Sequence, residues 1–320
     1  MELRRLGRSE LRIAPVVLGG NVFGWNVDQP TANRMFDTFV DAGFNAIDTA
    51  DVYSSWIPGH VGGESERVIG EWLKTSGKRD KVVIMTKLGV EMGPGKKGLS
   101  RRYMHEAIEA SLSRLQTDYV DLYQSHRDDE ETSLDETLSS YAELIKAGKV
   151  RAIGASNYTA ARLREAEAVS KRLGVPRFES LQPYYNLVER AQFEGELSDY
   201  CTSAEVGVIP YFGLGAGFLT GKYRSEKDLE GRARGYHVKK YLNDWGLGVL
   251  AALDSVAARH KATPAQVALA WLMTKIAAPI ASATSLEQLT EILKAAELKL
   301  DAADIKALEH ASAPETAAAE

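Results

Sequence analysis

The segment KVVIMTK, residues 81–87, is a short and almost continuously apolar run that ends in a charged side chain. A strand that is covered on both faces has this pattern, whereas a half-exposed strand alternates apolar and polar residues. Seven further runs of the same kind occur along the chain. They are PVVLGG (15–20), FNAIDT (44–49), YVDLYQSH (119–126), VRAIGASN (150–157), FESLQPY (178–184), GVIPYFG (207–213) and APIASAT (278–284).

Segments with a helical pattern lie between these runs, and several begin with capping signals. Ser133 to Glu136 and Ser285 to Gln288 have the spacing of a capping box, and Thr263 to Gln266 adds a proline at the first helical position. Strictly alternating β and α segments predict a parallel sheet. Eight repeats without a linker or a break in composition predict closure into one α/β domain, a single (β/α)8 TIM barrel over residues 1–320.

Three segments fall outside the repeating pattern. Glu2 to Ile13 is predicted to form an N-terminal β-hairpin with its turn near Gly7. Residues 215–246 are predicted to be a loop insertion after the seventh strand, followed by an extra helix. The small and polar residues 311–320, ASAPETAAAE, are typical of a disordered tail.

The composition indicates a soluble cytoplasmic protein. The net charge of −5 without a concentrated basic region argues against nucleic acid as the main partner. The single cysteine, Cys201, excludes an internal disulfide, fits a reducing compartment and is expected to pack in a helix. The apolar run VALAWLM (267–273) is too short to span a membrane, and residues 1–15 lack the apolar core of a signal peptide.

Ionisable residues follow three consecutive predicted strands. Asp48, Lys87 and His126 each come directly after an apolar run, and Tyr53 lies in the loop beyond Asp48. Because active sites of such barrels lie at the carboxyl ends of the strands, the four side chains are expected to converge at one mouth. This set suits acid–base work on a carbonyl or alcohol. A neighbouring ammonium lowers the pKa of a phenol from about 10.

Other chemistries lack their sequence signatures. The chain contains no G-x-S-x-G motif for acyl transfer, and its scattered histidines form no H-E-x-x-H motif, so no metal site is predicted. The segment AGFLTGKY (216–223) is not a P-loop, because Ala216 and Tyr223 replace required residues. No G-x-G-x-x-G follows the first strand, so a dinucleotide is not expected to bind in the Rossmann manner.

Each candidate also has an ordinary structural interpretation. An aspartate after a strand commonly caps a helix, a strand-end lysine is commonly solvated, and a lone histidine is commonly structural. Ser156 and Asn157 have the residue types that cap a following helix. The cations of 222–240 have the pattern of a solvated loop, and Trp25 and Trp56 are aromatic loop residues. The coincidence of four ionisable side chains at matching strand ends favours the functional interpretation.

The motifs IDTADVY, IMTK, DLYQSH, GASN, LQPYYNLVER, GFLTGKY and PIASATSLEQL, in this order and spacing, resemble those of the aldo-keto reductase family. The resemblance extends over about residues 3–310 and is strongest to bacterial-type members with a long loop after strand seven. It implies a (β/α)8 barrel of nicotinamide-dependent oxidoreductases. These enzymes interconvert an aldehyde or ketone and its alcohol by hydride transfer.

The resemblance also implies roles for individual residues. Tyr53 matches the proton donor, Lys87 the residue that lowers its pKa, Asp48 the salt-bridge partner of Lys87, and His126 the residue that orients the substrate oxygen. The positions that match cofactor contacts are Ser156, Asn157 and Gln182 at the carboxamide, Tyr211 at the nicotinamide ring, Gly217, Leu219, Gly221 and Lys222 at the diphosphate, and Ser282, Thr284 and Gln288 at the adenosine phosphate end. Trp25 and Trp56 are expected to wall the substrate pocket.

The chain departs from the family pattern at the adenosine end. Residues 281–289 contain no arginine or lysine, and Thr284 stands where an arginine is frequent. The resemblance favours NADP(H), but this departure leaves NAD(H) open, and hydroxyls at a helix N-terminus also hold phosphate. Ile292 replaces a frequent asparagine. Phe212 and Gly213 follow Tyr211 where serine and proline are frequent, which bears on the geometry of the diphosphate contacts.

Two classes of function remain open. The first is an NAD(P)(H)-dependent oxidoreductase acting on a small carbonyl or alcohol, with the physiological direction unassigned. The alternative is a cofactor-binding regulatory subunit that resembles potassium-channel β subunits, although the chain has no long N-terminal extension like theirs. The natural substrate, the stereochemistry and the oligomeric state are not assigned by the sequence.

Overall fold

The computed structural model describes residues 1–231 and 235–314. The first two strands, β1 (Arg4–Arg5) and β2 (Arg12–Ile13), pair antiparallel and form the predicted hairpin. Eight further strands form one parallel sheet. They are β3 (Val17–Gly19), β4 (Ala46–Asp48), β5 (Val83–Leu88), β6 (Val120–Ser125), β7 (Val150–Ser156), β8 (Phe178–Gln182), β9 (Gly207–Val208) and β10 (Ile280–Ala281).

The parallel sheet curls into a barrel. Its strand order is β10-β3-β4-β5-β6-β7-β8-β9, with each strand beside the next in the chain. The two edges meet through backbone hydrogen bonds: the N–H of Ala277 donates to Val208 at 3.0 Å, and that of Ile280 donates to Pro210 at 2.9 Å. The predicted (β/α)8 barrel is therefore confirmed, and every predicted run contains a strand.

Helices follow the barrel strands and cover the outside of the sheet. They are α1 (Gln29–Asp41), α2 (Glu64–Ser76), α3 (Arg101–Leu115), α4 (Leu134–Lys146), α5 (Ala160–Leu173), α6 (Glu196–Ser203), α7 (Gly235–Val238), α8 (Asp244–His260), α9 (Pro264–Met273), α10 (Leu286–Lys294) and α11 (Ala302–Ala311). None of the helices in the described part of the chain combines the length and apolarity that a bilayer crossing requires.

The sheet separates two apolar layers, which explains why the strands are apolar along almost their whole length. On β5, Val83 and Met85 belong to a small cluster inside the barrel. Ile84 and Leu88 belong to the large cluster between the sheet and the helices. This alternation directs Lys87, the next inward position, into the barrel.

The three predicted capping boxes differ in the structure. Only Thr263 forms the reciprocal pair, with Gln266 bonding back to its N–H. Ser133 and Ser285 each cap their helix with the hydroxyl. The partner side chains bond elsewhere, however, because Glu136 accepts from the N–H of Arg101 and Gln288 accepts from that of Thr284.

The connection from β9 to β10 is the longest in the barrel and contains the predicted insertion. Short 3₁₀ helices at 215–220, 226–229 and 239–241, together with α7, precede the long helix α8. Residues 232–234 of this insertion lie outside the described residues. Of the expected disordered tail, Ala311 ends α11, and residues 315–320 lie outside the described residues.

Candidate active site

Asp48 lies at the carboxyl end of β4, with 1% of its side chain exposed. The N–H of Gly20, just beyond β3, donates to its carbonyl oxygen at 2.7 Å. A Cβ atom on Gly20 would lie only 2.8 Å from that oxygen, so this close approach of the two backbones requires glycine. The short GG pair that ends the first barrel strand thus lets β3 and β4 approach closely at the site.

Lys87 is buried inside the barrel and uses all three of its N–H donors. Its Nζ lies 2.7 Å from Asp48 Oδ2, 2.8 Å from the carbonyl oxygen of Thr49 and 2.9 Å from the hydroxyl of Tyr53. An ammonium group has three donors, so these contacts fix its position and orientation. The predicted pair of Asp48 and Lys87 is present, and Tyr53 is part of the same cluster.

Tyr53 lies in the loop after β4, where a strained backbone position holds it. The next residue, Ser54, has a φ of 78°, in the left-handed region that non-glycine residues rarely adopt. Its buried hydroxyl donates to the carbonyl oxygen of Phe23 at 3.1 Å. The Tyr53 hydroxyl accepts from Lys87, and its own hydrogen faces Asp48 Oδ2 only at 3.5 Å. That hydrogen therefore forms at most a weak hydrogen bond with Asp48.

The acidity of Tyr53 differs from the simple expectation. Burial raises the pKa of Tyr53 above its usual value of 10, and this effect outweighs the opposing charge of Lys87. Burial lowers the pKa of Lys87, but Asp48 and Tyr53 together raise it by more. Lys87 is therefore charged and Tyr53 protonated at neutral pH. The lysine acts on the phenol in the predicted direction, but the net shift has the opposite sign.

His126 follows β6, and its N–H donates to the carbonyl oxygen of Leu88 at 2.8 Å. Its ring lies 6.1 Å from that of Tyr53, centroid to centroid. Burial, with the charges of Lys87 and Arg127, lowers the pKa of His126 to about 3. The imidazole is therefore neutral near pH 7 and acts there as a neutral hydrogen-bonding group.

Two glutamines bind the other oxygen of Asp48. Gln182 Nε2 lies 2.9 Å from Asp48 Oδ1, and Gln124 Nε2 lies 3.3 Å from the same atom. Gln182 Nε2 also lies 3.4 Å from Gln124 Oε1. The structure thus directs the amide nitrogen of Gln182 toward Asp48. Gln124 is absent from the sequence-based site, although it precedes His126 by two residues in the motif DLYQSH.

The other predicted carboxamide contacts form a chain beside His126. Ser156 Oγ donates to the carbonyl oxygen of Gln182 at 2.8 Å. Asn157 Nδ2 donates to that of His126 at 3.1 Å, and Asn157 Oδ1 accepts from the Tyr211 hydroxyl at 2.9 Å. Thr159, not Ser156 or Asn157, caps the next helix. The capping interpretation of this pair is therefore wrong.

A cavity of about 480 Å³ adjoins part of each group of predicted residues. The predicted residues outside its lining include Lys87, His126, Ser156, Asn157, Gln182, Tyr211 and Trp56. Asp48 and Tyr53 line one part of it. The predicted cofactor residues that line the rest are Gly217, Lys222, Ser282, Thr284 and Gln288. Of the remaining diphosphate candidates, Leu219 is buried in the apolar core and Gly221 ends a 3₁₀ helix.

The two tryptophans predicted to wall the substrate pocket lie beside Tyr53. Trp25 lines the cavity, and its indole N–H donates to the carbonyl oxygen of Asn21 at 2.8 Å. Trp56 is half exposed. Its ring packs edge-on against Trp25 at 6.1 Å and against Tyr53 at 6.0 Å, centroid to centroid. The three rings form a continuous aromatic surface beside the phenol.

The far part of the cavity is lined by neutral hydrogen-bonding side chains and by one carboxylate. Ser282 Oγ donates to Asn21 Oδ1 at 2.7 Å, and the Thr284 hydroxyl donates to Gln288 Oε1 at 3.0 Å. Glu291, which sequence reasoning missed, also lines the cavity, and its carboxylate accepts from Thr263 at 2.6 Å. The three-residue spacing from Gln288 to Glu291, one turn of α10, was the available signal.

The part of the cavity around Gly217, where diphosphate contacts are predicted, is shaped by backbone conformation. Gly217 has a φ of 98°, and a Cβ atom there would lie 3.3 Å from Lys222 Cε. A larger residue would thus be strained and would crowd the one predicted cation of this region. The cavity therefore offers hydrogen-bonding groups at one end, a lysine beside a glycine turn, and the tyrosine–lysine cluster, a sequence of groups that fits an extended dinucleotide.

Comparisons with known proteins agree with this arrangement. The model of the aldo/keto reductase family matches residues 15–313. The chain is 32% identical to the aldo-keto reductase dtxS3 of Metarhizium robertsii, over 97% of this chain and 90% of that protein. It is 33% identical to the uncharacterized oxidoreductase YrpG of Bacillus subtilis, over 94% and 93% of the two chains. It is 31% identical to the protein tas of Escherichia coli, over 94% of each.

The fold and the buried cluster of tyrosine, lysine and aspartate at the carboxyl ends of the strands define a barrel oxidoreductase. The chain belongs to the aldo/keto reductase family.

Proposed function

We propose that this protein is an NAD(P)(H)-dependent oxidoreductase that interconverts an aldehyde or ketone and its alcohol, with Tyr53 as the proton donor. The observation that carries the proposal is the hydrogen bond from Lys87 Nζ to the Tyr53 hydroxyl, 2.9 Å long, at the wall of the cavity. Lys87 is held there by Asp48 and by the carbonyl oxygen of Thr49.

The hydrogen bond from Lys87 determines which way the Tyr53 proton can go. Because Lys87 donates to the phenol oxygen, the phenol's own hydrogen remains available for an acceptor in the cavity. A carbonyl oxygen placed there accepts this proton as its carbon is reduced, and the fixed ammonium stabilises the phenolate that forms. His126, being neutral, orients the carbonyl oxygen by a hydrogen bond without competing for the proton.

The cofactor site extends along the cavity from Tyr53 to α10. When bound, a nicotinamide cofactor supplies the hydride for the carbonyl carbon. Ser156, Asn157 and Gln182 are proposed to hold its carboxamide and Tyr211 its ring. Gly217 and Lys222, with Leu219 and Gly221 in the same turn, are proposed to contact the diphosphate, and Ser282, Thr284 and Gln288 to contact the adenosine phosphate end.

The preference between the two cofactors rests on opposing considerations. Family membership favours NADP(H). The segment 281–289 has no arginine or lysine to pair with a 2′-phosphate, and Glu291 adds a carboxylate to the same wall, which favours NAD(H). A direct comparison of the two cofactors decides between them.

The aromatic surface of Trp25, Trp56 and Tyr53 supports a substrate class. The two indole rings stand at 88° to each other, so an aromatic ring in the substrate can stack on the face of one and pack against the edge of the other. We therefore propose aromatic or medium-sized apolar carbonyl compounds as substrates in preference to small aliphatic ones.

The test measures oxidation of NADPH and of NADH with nitrobenzaldehyde, on wild type and Tyr53→Phe. The variant is expected to lose about a hundredfold to ten-thousandfold in turnover, the usual contribution of a general acid. Cofactor binding, followed by tryptophan fluorescence, should be retained. Tyr123→Phe is the matched control, because Tyr123 is fully buried and its hydroxyl has no partner among the described residues.

Either of two results would overturn the proposal. Comparable turnover by wild type and Tyr53→Phe would remove Tyr53 as the proton donor. Tight binding of one cofactor without multiple turnovers on any carbonyl would instead favour the regulatory subunit.

A further inference from the structure

One carboxylate oxygen of Asp48 faces the side-chain amides of two glutamines and has no part in the proposed proton transfer. One oxygen of the carboxylate, Oδ2, accepts from Lys87, whereas Oδ1 accepts from Gln182 at 2.9 Å and from Gln124 at 3.3 Å. Because a carboxylate only accepts hydrogen bonds, both amide nitrogens must face it. Asp48 is thus held between a cation on one side and a pair of amides on the other.

Gln124 is placed beside the lysine by strand register. Lys87 on β5 pairs with Gln124 on β6, and Gln124 pairs with Gly154 on β7. The side chain of Gln124 is fully buried. The layer beneath it is apolar and includes Met85 and Leu122. A polar amide at this depth is costly unless it is hydrogen-bonded, and its N–H bond is to Asp48.

The neighbouring strand leaves room for this side chain. A Cβ atom on Gly154 would lie 3.2 Å from Gln124 Cγ and 2.2 Å from Ser180 Oγ. Gly154 lies within β7 and has no left-handed conformation that would require glycine. The space that it leaves is occupied by Gln124 and Ser180, so packing and hydrogen bonding together specify the position of the amide.

We propose that Gln124 is a positioning residue, which with Gln182 holds Asp48 so that its Oδ2 faces Lys87 and aligns that ammonium on the Tyr53 hydroxyl. This inference rests on the proposed function. Gln124 forms no hydrogen bond with Tyr53 or Lys87 in the described residues, so it acts on them through Asp48. Its other amide atom, Oε1, accepts only a long contact from Gln182 Nε2 at 3.4 Å. Since Gln182 Nε2 is also bound to Asp48, the proposed carboxamide contact Gln182 and the tetrad (Asp48, Tyr53, Lys87 and His126) share one carboxylate.

The predicted consequence concerns both rate and pH dependence. The charge of Asp48 raises the pKa of Tyr53. Amide donors on Asp48 offset part of that charge, so their loss makes the phenol a weaker acid. Gln124→Met, which keeps the length of the side chain but removes the amide, should lower kcat by on the order of tenfold, the usual effect of losing a supporting hydrogen bond. The KM for the cofactor should change less than kcat, because Gln124 reaches the proposed carboxamide contact Gln182 only through a 3.4 Å contact.

The distinguishing readout is the alkaline limb of the pH profile for carbonyl reduction. In Gln124→Met this limb should move to higher pH than in wild type. Ser180→Ala is the matched control, because Ser180 lies in the same buried layer and its hydroxyl has no partner among the described residues. It should leave both kcat and the limb in place. Gln124→Leu replaces the methionine variant if that variant does not fold.

A second readout does not depend on turnover. Ultraviolet difference titration, with Tyr53→Phe subtracted on each background, measures the ionisation of Tyr53 directly. A higher midpoint in Gln124→Met supports the inference even if no substrate is turned over, in which case only the proposed function fails. An unchanged midpoint, or an equal shift in Ser180→Ala, overturns the role of Gln124 while leaving that of Tyr53 intact.

Discussion

An ion pair lies against each face of β5, and the two pairs have different consequences. On the inner face, Lys87 bonds to Asp48 at 2.7 Å, and both side chains are essentially unexposed. On the outer face, Thr86 donates to Glu66 at 2.6 Å, and Glu66 in turn pairs with Arg114 at 2.6 Å. The inner pair adjoins the cavity through Tyr53, whereas the outer pair joins α2 and α3 to the sheet.

The outer region also contains an acid that is not paired. Both carboxylate oxygens of Asp51 are buried and have no hydrogen-bond partner among the described residues. Burial and the nearby charge of Glu66 raise the pKa of Asp51 well above its ordinary value. Asp48 and Asp51 are three residues apart and equally buried. Burial is therefore common to both carboxylates, and only Asp48 is connected, through Lys87, to a hydroxyl at the cavity.

The largest effect is expected when the inner pair is broken. Lys87→Met leaves Asp48 buried without its cation, and such a loss typically costs about 3–5 kcal/mol of unfolding free energy. Turnover should fall by about a thousandfold, because Tyr53 loses the charge that stabilises its phenolate. Urea unfolding and steady-state kinetics measure the two effects. In the double variant Lys87→Met/Asp48→Asn, stability should recover and turnover should not. Recovery of both would show that the inner ion pair, like the outer one, affects only stability.

Breaking the outer pair should affect stability alone. Arg114→Met leaves Glu66 without its cation and is expected to cost about 3 kcal/mol of unfolding free energy. The kcat per folded molecule should be unchanged, because no hydrogen bond in the described residues connects Glu66 or Arg114 to Tyr53. Adding Glu66→Gln should restore part of the stability. A loss of kcat comparable to that of Lys87→Met would show that the outer pair also sets the catalytic geometry.

A smaller effect of opposite sign is expected at Asp51. The pKa of Asp51 is raised in the folded state, so its contribution to stability is fully present below the unfolded value of about 4 and is lost as the pH rises through the folded pKa. Asp51→Asn should therefore stabilise the protein at pH 7, by about 1 kcal/mol, and not at pH 4. Thermal unfolding at both pH values measures this. Equal stabilisation at both would show that folding does not raise the pKa of Asp51.

The smallest effect is expected from the ionisation of His126 in the wild-type protein, measured as the pH dependence of the rate. The charge of the inner lysine contributes to lowering the pKa of His126 to about 3. The rate of carbonyl reduction should therefore show no histidine titration between about pH 5 and 8, the range in which an unperturbed histidine changes charge. A pH–rate profile with a limb near pH 6.5 that disappears in His126→Gln would contradict this.

The sequence was sufficient to predict the fold and the positions of the four tetrad residues. Eight apolar runs fixed the number of strands, and their ends placed Asp48, Lys87 and His126 at one mouth. Such predictions succeed because burial on both faces and strand direction are properties of contiguous residues. The position of Gln124 beside Lys87 was also predictable in principle. Both residues lie on adjacent strands, and the alternation of each strand directs both side chains into the barrel.

Other features depended on contacts between distant parts of the chain. Gln182 bonds to Asp48 across 134 residues, and Glu291 accepts from Thr263 across 28. The net acidity of Tyr53 follows from its burial, which no local pattern reports. The capping boxes at Ser133 and Ser285 are incomplete because their partner side chains accept other hydrogen bonds. Glu136 accepts from the N–H of Arg101, and Gln288 accepts from the N–H of Thr284.

Because β9 and β10 contain only two residues each, the barrel resists local unfolding less at these strands than at β5 to β7. Strands β5 to β7 contain six or seven residues each and hold Lys87 and the segment before His126. The seam between β9 and β10 depends on few backbone hydrogen bonds, and the predicted diphosphate and adenosine residues lie next to it. We expect local unfolding to cost least along this seam, so amide hydrogen exchange should be faster in β9 and β10 than in β5 to β7.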